Sequence, residues 1–241
     1  MRDPGKYFRN NVASTLNLLE AMVEAGVKRI VFSSSCATYG VPDRLPITED
    51  TPQRPVNAYG ESKLMCERLI RWFAECHGMQ YVILRYFNAA GADPEGEIGE
   101  CHDPEPHLIP IVLRAVSEGR PVTIYGTDYP TPDGTAIRDY VHVSDLARAH
   151  VLAAEHLLRG GESLAVNLGT GKGHSVLEVI RTAEKVVGHR AEIEIASRRL
   201  GDPAMLVASN ASAKQTLGWA PEYPELRTMM EHALRFSELR W

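Results

Sequence analysis

A chain of 241 residues exceeds one average domain and falls short of two, which excludes a peptide, a disulfide-stapled miniprotein or a repeat array. Hydrophobic residues at 44% and charged residues at 24% are ordinary globular values, so disorder is not expected. With 31 acidic and 26 basic side chains, the net charge of −5 argues against a protein devoted to nucleic acid.

In chain order, Phe8, Val12, Leu16, Leu19 and Val23 recur at steps of three and four, which predicts a helix over 7–25 ending at Gly26. The run Arg29, Ile30, Val31, Phe32 predicts a buried strand that delivers Ser33, Ser34 and Ser35 to its carboxyl end. Asn57 is suited to cap a helix from 58 to about 77, and Tyr81 to Leu84 reads as a second buried strand. Strands alternating with helices imply parallel pairing through crossover helices, an α/β fold.

From Gly91 to Pro106 the chain turns rich in glycine, proline and acidic residues, too long a stretch for a simple connector. After it a helix is expected over 109–118, a strand over 122–125, a turn-rich stretch to 134 and a helix through 146–149. Further on come a strand over 165–168, a helix over 175–187, a strand near 193–195 and helices near 211–217 and 225–239. The expected division is a sheet domain of 1–90 plus 140–190 and a smaller lobe of 91–139 plus 190–241.

Cys36, Cys66, Cys76 and Cys101 contain no C-x-x-C pair and no metal-ligand spacing, and no signal peptide precedes them. A reduced cytoplasmic setting is expected, with the cysteines acting as small buried hydrophobes and with no metal centre. No apolar run approaches the roughly 18–20 residues of a membrane helix, so a soluble protein is expected.

Tyr59 and Lys63 stand four apart on the helix expected at 58–77 and therefore share a face. A nearby ammonium lowers a phenol's pKa, which makes such a tyrosine a candidate proton carrier near neutral pH. By itself the pair is also what an exposed helix face carries. Ser35 strengthens the functional reading, because open α/β sheets bind ligands outside the carboxyl ends of their strands. The elbow pattern G-x-S-x-G is absent, and nothing among the nine histidines suggests a hydrolase triad.

Phe32-Ser33-Ser34-Ser35 with Tyr39-Gly40, Tyr59-x-x-x-Lys63, Arg85-Tyr86-Phe87-Asn88, the block Tyr125 to Thr135, Arg138-Asp139-Tyr140-Val141-His142-Val143 and Asp145 together resemble the UDP-glucose 4-epimerase family of extended short-chain dehydrogenases/reductases. The tyrosine-lysine pair marks only the superfamily, whereas the block from Tyr125 to Asp145 is more specific. The resemblance runs from about Tyr7 to the C-terminus.

It implies a partial Rossmann-like, doubly wound parallel sheet with a smaller C-terminal lobe for the UDP-sugar substrate, and retained NAD as cofactor. The implied reaction removes hydride from C4 of the sugar and returns it to the opposite face, interconverting UDP-glucose and UDP-galactose. Tyr59 would carry the 4-hydroxyl proton, Lys63 would hold the phenol's pKa down, and Ser35 would position the hydroxyl. The implied cofactor contacts are Asn10, Ser35, Tyr59, Lys63 and Phe87. The implied substrate contacts are Asn88, His107, Leu108, Arg138, Arg199, Asp202 and Leu206.

Arginine's planar fork suits a diphosphate, although Arg138 and Arg199 are equally placed for salt bridges to Asp139 and Asp202. His107 stands where an asparagine is expected. Leu206, smaller than tyrosine, suggests room for an N-acetyl group on C2 of the sugar. A homodimer packed through the helices near 7–25 and 58–77 is also implied. The alternatives are a 4-epimerase for UDP-N-acetylhexosamines or UDP-pentoses, or a UDP-sugar-binding fragment without catalysis.

The glycine-rich G-x-G-x-x-G loop of a dinucleotide site occurs nowhere in the 241 residues. The resemblance places it in an upstream segment, and a chain lacking it is expected to aggregate or fold partly and to retain little NAD. Gly169-Thr170-Gly171-Lys172-Gly173 mimics such a loop, but its G-x-G-x-G spacing and late position predict a structural turn.

Overall fold

The computed structural model of the protein describes residues 3–199 and 201–238. The last residue of the helix expected at 225–239 therefore lies outside the described residues.

The chain opens with α1 (Pro4–Tyr7), a π-helical stretch (Phe8–Ala13) and α2 (Ser14–Glu24). The expected single helix is thus interrupted by a wide turn, a feature that often accompanies functional sites. The three- and four-residue spacing of Phe8, Val12 and Leu16 carries no mark of it. After Gly26 comes β1 (Arg29–Ser35), then a 3-10 turn (Cys36–Thr38).

Next comes α3 (Ala58–His77), capped by the Asn57 side chain, which accepts from the Gly60 N–H at 2.8 Å, and closed by left-handed Gly78. The strands β2 (Gln80–Tyr86) and β3 (Asn88–Ala90) precede the long loop, and α4 (Leu108–Ser117) follows it. The remaining elements are β4 (Val122–Tyr125), β5 (Ile137–His142), α5 (Val143–Leu158), β6 (Leu164–Leu168), β7 (Gly173–Ser175), α6 (Val176–Val187), β8 (Ile193–Ala196), β9 (Met205–Leu206), α7 (Ala211–Leu217) and α8 (Leu226–Glu238).

Two compact units result. The first comprises Met1–Phe87, Arg148–Leu168 and Ala208–Ala220; the second comprises Asn88–Ala147, Gly169–Val207 and Pro221–Trp241. This departs from the expected division of 1–90 plus 140–190 against 91–139 plus 190–241. Residues 169–190 go to the second unit because α6 puts Val179, Ile180 and Ala183 into the core built by α4 and α8. Residues 208–220 go to the first, where α7 packs on β6.

In the first unit β1, β2 and β6 form a parallel sheet in that order, with Ser35 opposite Tyr86 and Val82 opposite Leu164. The apolar centre of β2, Val82 to Leu84, is fully buried, as a strand between two neighbours requires. Leu19, Ile70 and Met79 form a core that Phe32, Phe73 and Tyr81 extend. A buried polar network crosses this unit. Arg85 pairs with Glu67, Ser34 Oγ donates to Glu67 at 2.6 Å, and the Tyr39 hydroxyl joins Arg85 to Asn167.

In the second unit β5 is central: β3 and β9 pair with it in parallel and β7 antiparallel. A separate parallel pair joins β4 and β8. The core takes Ile109, Val112, Leu113 and Val116 from α4, one face of a helix by spacing, with Leu226, Met229 and Met230 from α8. None of the four cysteines forms a disulfide. Cys36 and Cys66 are buried, but Cys76 and Cys101 are exposed, so the expectation of four buried hydrophobes holds for two.

Candidate active site

Ser35 ends β1 and begins the 3-10 turn, its Oγ accepting from the Ala37 N–H at 3.2 Å. The same hydroxyl hydrogen bonds the Tyr59 hydroxyl, so the strand end and the first turn of α3 meet at this pair. Gly60 makes that approach possible: a Cβ there would lie 2.3 Å from the Ala37 carbonyl oxygen. Tyr7 packs its ring edge-on to Tyr59 at 5.9 Å.

Lys63 lies one turn further on the same face. Its Nζ donates to the Ser33 carbonyl at 3.0 Å and stands 5.2 Å from the centre of the Phe32 ring and 5.9 Å from that of Tyr59. One of its three ammonium protons is used in this bond. Burial lowers the Lys63 pKa below its ordinary value.

Burial also pushes the Tyr59 phenol upward, against the Ser35 hydrogen bond, which pulls it down. Burial is the largest cause of that shift, and the Lys63 ammonium is turned toward the Ser33 carbonyl.

Of the other residues expected at the cofactor, Asn10 lies exposed in the π-helical stretch, and Phe87 is buried just past β2. Asn10's neighbour Asn11 ties that stretch to α3, its Nδ2 donating to Ser62 Oγ at 2.9 Å. A lysine ammonium with protons to spare, a phenol and a serine hydroxyl make a donor set that fits a nicotinamide ribose.

The residues expected at the substrate all lie in the second unit. Arg138 in β5 stands opposite Leu206 in β9 and forms a short ion pair with Asp202. Asp202, expected as a salt-bridge partner of Arg199, is thus paired with Arg138. Arg199 stacks on the Tyr125 ring at 4.1 Å. Asn88 in β3 pairs with Tyr140 of β5. His107 and Leu108 stand at the start of α4, where the His107 ring contacts Glu100 and Glu105. The Glu100 contact raises the His107 pKa.

Asp139 settles the glycine-rich segment. Its carboxylate accepts from the Thr170 N–H at 2.8 Å, the Thr170 hydroxyl at 2.7 Å and the Gly171 N–H at 3.0 Å. Backbone donors that could have cradled a phosphate are committed to a buried side chain, so Gly169 to Gly173 is a structural turn, as its spacing predicts.

A cavity of about 360 Å³ in the second unit is lined by Gly91, Glu100, His102, Glu105, Leu113 and Phe236, among others. None of the expected substrate residues is in its wall. At its wall Glu100, His102, Glu105 and His107 converge, a group that cysteine spacing does not point to and whose sequence signal is the pattern E-x-H-x-x-E-x-H. Among the described residues no helix is long and apolar enough to cross a membrane.

Residues 1–169 match the NAD dependent epimerase/dehydratase family. The chain is 56% identical over 234 residues to a UDP-glucose 4-epimerase of Halalkalibacterium halodurans, covering 97% of this chain and 70% of that protein. It is 51% identical to one of Streptococcus mutans, with the same coverage. Among solved structures, UDP-glucose 4-epimerase from Brucella ovis in complex with NAD superposes with a TM-score of 0.93 at 50% identity, covering 97% of this chain and 73% of that one. The enzyme from Bifidobacterium longum in complex with NAD+ and UDP gives 0.92 at 43% identity, covering 99% and 72%.

Proposed function

Because the chain belongs to the NAD dependent epimerase/dehydratase family, we propose that it interconverts UDP-glucose and UDP-galactose by inverting the configuration at C4 of the sugar. The observation that carries this reading is the hydrogen-bonded Ser35–Tyr59 pair with Lys63 on the same helix face, in a chain whose relatives of that name match it over nearly its full length.

NAD, when bound, supplies reversible hydride acceptance at C4. Asn10, Ser35, Tyr59, Lys63 and Phe87 are the residues of this chain that would hold it. Tyr59 takes the proton of the 4-hydroxyl as that carbon is oxidised and returns it on reduction. Ser35 shares the same hydroxyl and orients it. Lys63, with a proton bound to Ser33, has others for ribose hydroxyls and adds positive charge near the phenol. Burial opposes ionisation of Tyr59, and the Ser35 hydrogen bond works against that cost.

On the substrate side, Arg138 and Arg199 bind the diphosphate oxygens, with Asn88, His107, Leu108 and Asp202 as further contacts. Leu206, in register with Arg138, is smaller than the tyrosine expected to restrict C2 of the sugar, which supports turnover of UDP-N-acetylglucosamine as well. A second copy of the chain packs on the outer face of α2 and α3, where Leu18 is 54% and Trp72 63% exposed. Four cysteines without a disulfide support a reducing cytoplasmic setting.

The test is a coupled assay that follows UDP-glucose formed from UDP-galactose with NAD supplied. Turnover supports the reading; UDP binding by calorimetry with no turnover, in protein shown to bind NAD, refutes it. Undetectable conversion of UDP-N-acetylglucosamine by protein active on UDP-galactose removes the wider sugar range.

A further inference from the structure

The loop between β3 and α4 carries Glu100-x-His102-x-x-Glu105-x-His107, two Glu-x-His units in succession. One donor atom from each of these side chains lies within 4.8 Å of the other three. Glu100 Oε1 is the hub. His102 Nδ1 stands 2.9 Å from it, and His107 Nδ1 contacts the same oxygen. Glu105 closes the group, with Oε1 3.1 Å from His107 Nδ1 and Oε2 3.9 Å from His102 Nδ1.

The Glu105 side chain is only 7% exposed, an expensive position for a carboxylate unless a cation or several donors face it. These side chains project from an irregular loop, yet they point inward to one spot.

We propose that Glu100, His102, Glu105 and His107 form a divalent transition-metal site whose best-fitting ion is Zn²⁺. Two imidazole nitrogens and two carboxylate oxygens are a zinc donor set, whereas Mg²⁺ and Ca²⁺ favour oxygen ligands alone. At bond lengths of about 2.0–2.2 Å, tetrahedral ligand atoms stand roughly 3.4 Å apart. The four ligand atoms, one from each side chain, all lie within 4.8 Å of one another, so small side-chain rotations that spread the tightest pair and draw in the widest ones close the shell.

As the ion enters, the protons shared between the imidazoles and carboxylates leave, and both rings keep a hydrogen on Nε2. Glu105 Oε1 also accepts from the His107 N–H at 2.8 Å, an outer contact that holds the ligand in orientation. Access is open: Glu100, His102 and Glu105 line the 360 Å³ cavity, and both histidines are about half exposed. The ion clamps the loop ahead of α4, and His107 Nε2 remains available as a donor. This site stands independently of the epimerase reading.

Protein without a histidine tag is titrated with ZnCl₂ alone. Retained metal is counted by mass spectrometry after gel filtration, and affinity is read by competition with a chromophoric chelator. One zinc per chain is expected, with His102→Ala weakening affinity more than about tenfold. Zinc should also raise the melting temperature of the parent protein and leave that of His102→Ala unchanged. His102 is an exposed loop residue, so this variant keeps the core intact. Absence of retained zinc, or equal affinity in His102→Ala, overturns the proposal.

Discussion

Glu67 and Arg85 meet as a two-pronged ion pair inside the first unit, with Nε to Oε1 at 2.9 Å and Nη2 to Oε2 at 2.7 Å. Both side chains are almost wholly buried, 1% and 3% exposed. The pair fastens α3 to β2, and Ser34 ties the same carboxylate to β1. The separation between the strand end at Ser35 and the helix start at Tyr59 is set by these connections.

Removing one partner strands the other charge, so Glu67→Ala should cost about 3–5 kcal/mol of stability. Replacing both with apolar residues, as in Glu67→Met with Arg85→Leu, should recover most of that loss. Urea denaturation followed by circular dichroism measures both. A single variant as stable as the parent would show that the pair is not sustaining the unit.

Gly60→Ala tests the close approach of α3 to the 3-10 turn. The added methyl would meet the Ala37 carbonyl at 2.3 Å, and backbone cannot yield as a flexible side chain can. The helix start must shift, carrying Tyr59 from Ser35. A misplacement of about 1 Å is worth roughly 10²-fold in rate. A drop in kcat with little change in far-UV dichroism is expected; unchanged kcat would mean the gap has slack.

His142 makes stability depend on pH. Burial holds its pKa down to about 4, helped by His232, while Asp145 and Asp93 pull the other way. Its Nδ1 accepts from the Ser144 N–H at 3.0 Å, and its Nε2 faces His232 Nδ1 at 3.0 Å, so the added proton has no acceptor in place. The native state thus refuses a proton that the unfolded chain takes up near pH 6.5. This contribution is full above pH 6.5 and is lost as pH falls toward 4, by roughly 2–3 kcal/mol. Urea midpoints at pH 7 and pH 4.5 should differ more in the parent than in His142→Asn.

The elements legible in the sequence are those whose own residues decide them. Val82 to Leu84 is apolar enough to be a central strand in any context, and Asn57 with Gly78 frames α3 on both sides. The short strands β3, β7 and β9 were not legible, because Asn-Ala-Ala, Gly-His-Ser and Met-Leu become strands only by pairing with β5. Strand β5 itself hides behind Arg138 and Asp139, charges that Asp202 and the Thr170 turn help to satisfy.

The site was legible in its identities and less so in its electrostatics. Tyr59, Lys63 and Ser35 are brought together as their spacing implies, but the direction in which the phenol's pKa moves depends on burial, which spacing does not report. The four side chains from Glu100 to His107 were missed because carboxylates and histidines on an acidic loop look like solvated charge until their donor atoms are seen to converge.

The most direct measurement is kcat for UDP-galactose epimerisation by Tyr59→Phe against the parent protein, both supplied with NAD. Deleting the one hydroxyl that carries the sugar proton should lower kcat by about 10²–10⁴-fold with the fold intact by circular dichroism. A kcat equal to the parent's would contradict the assignment of proton transfer to Tyr59.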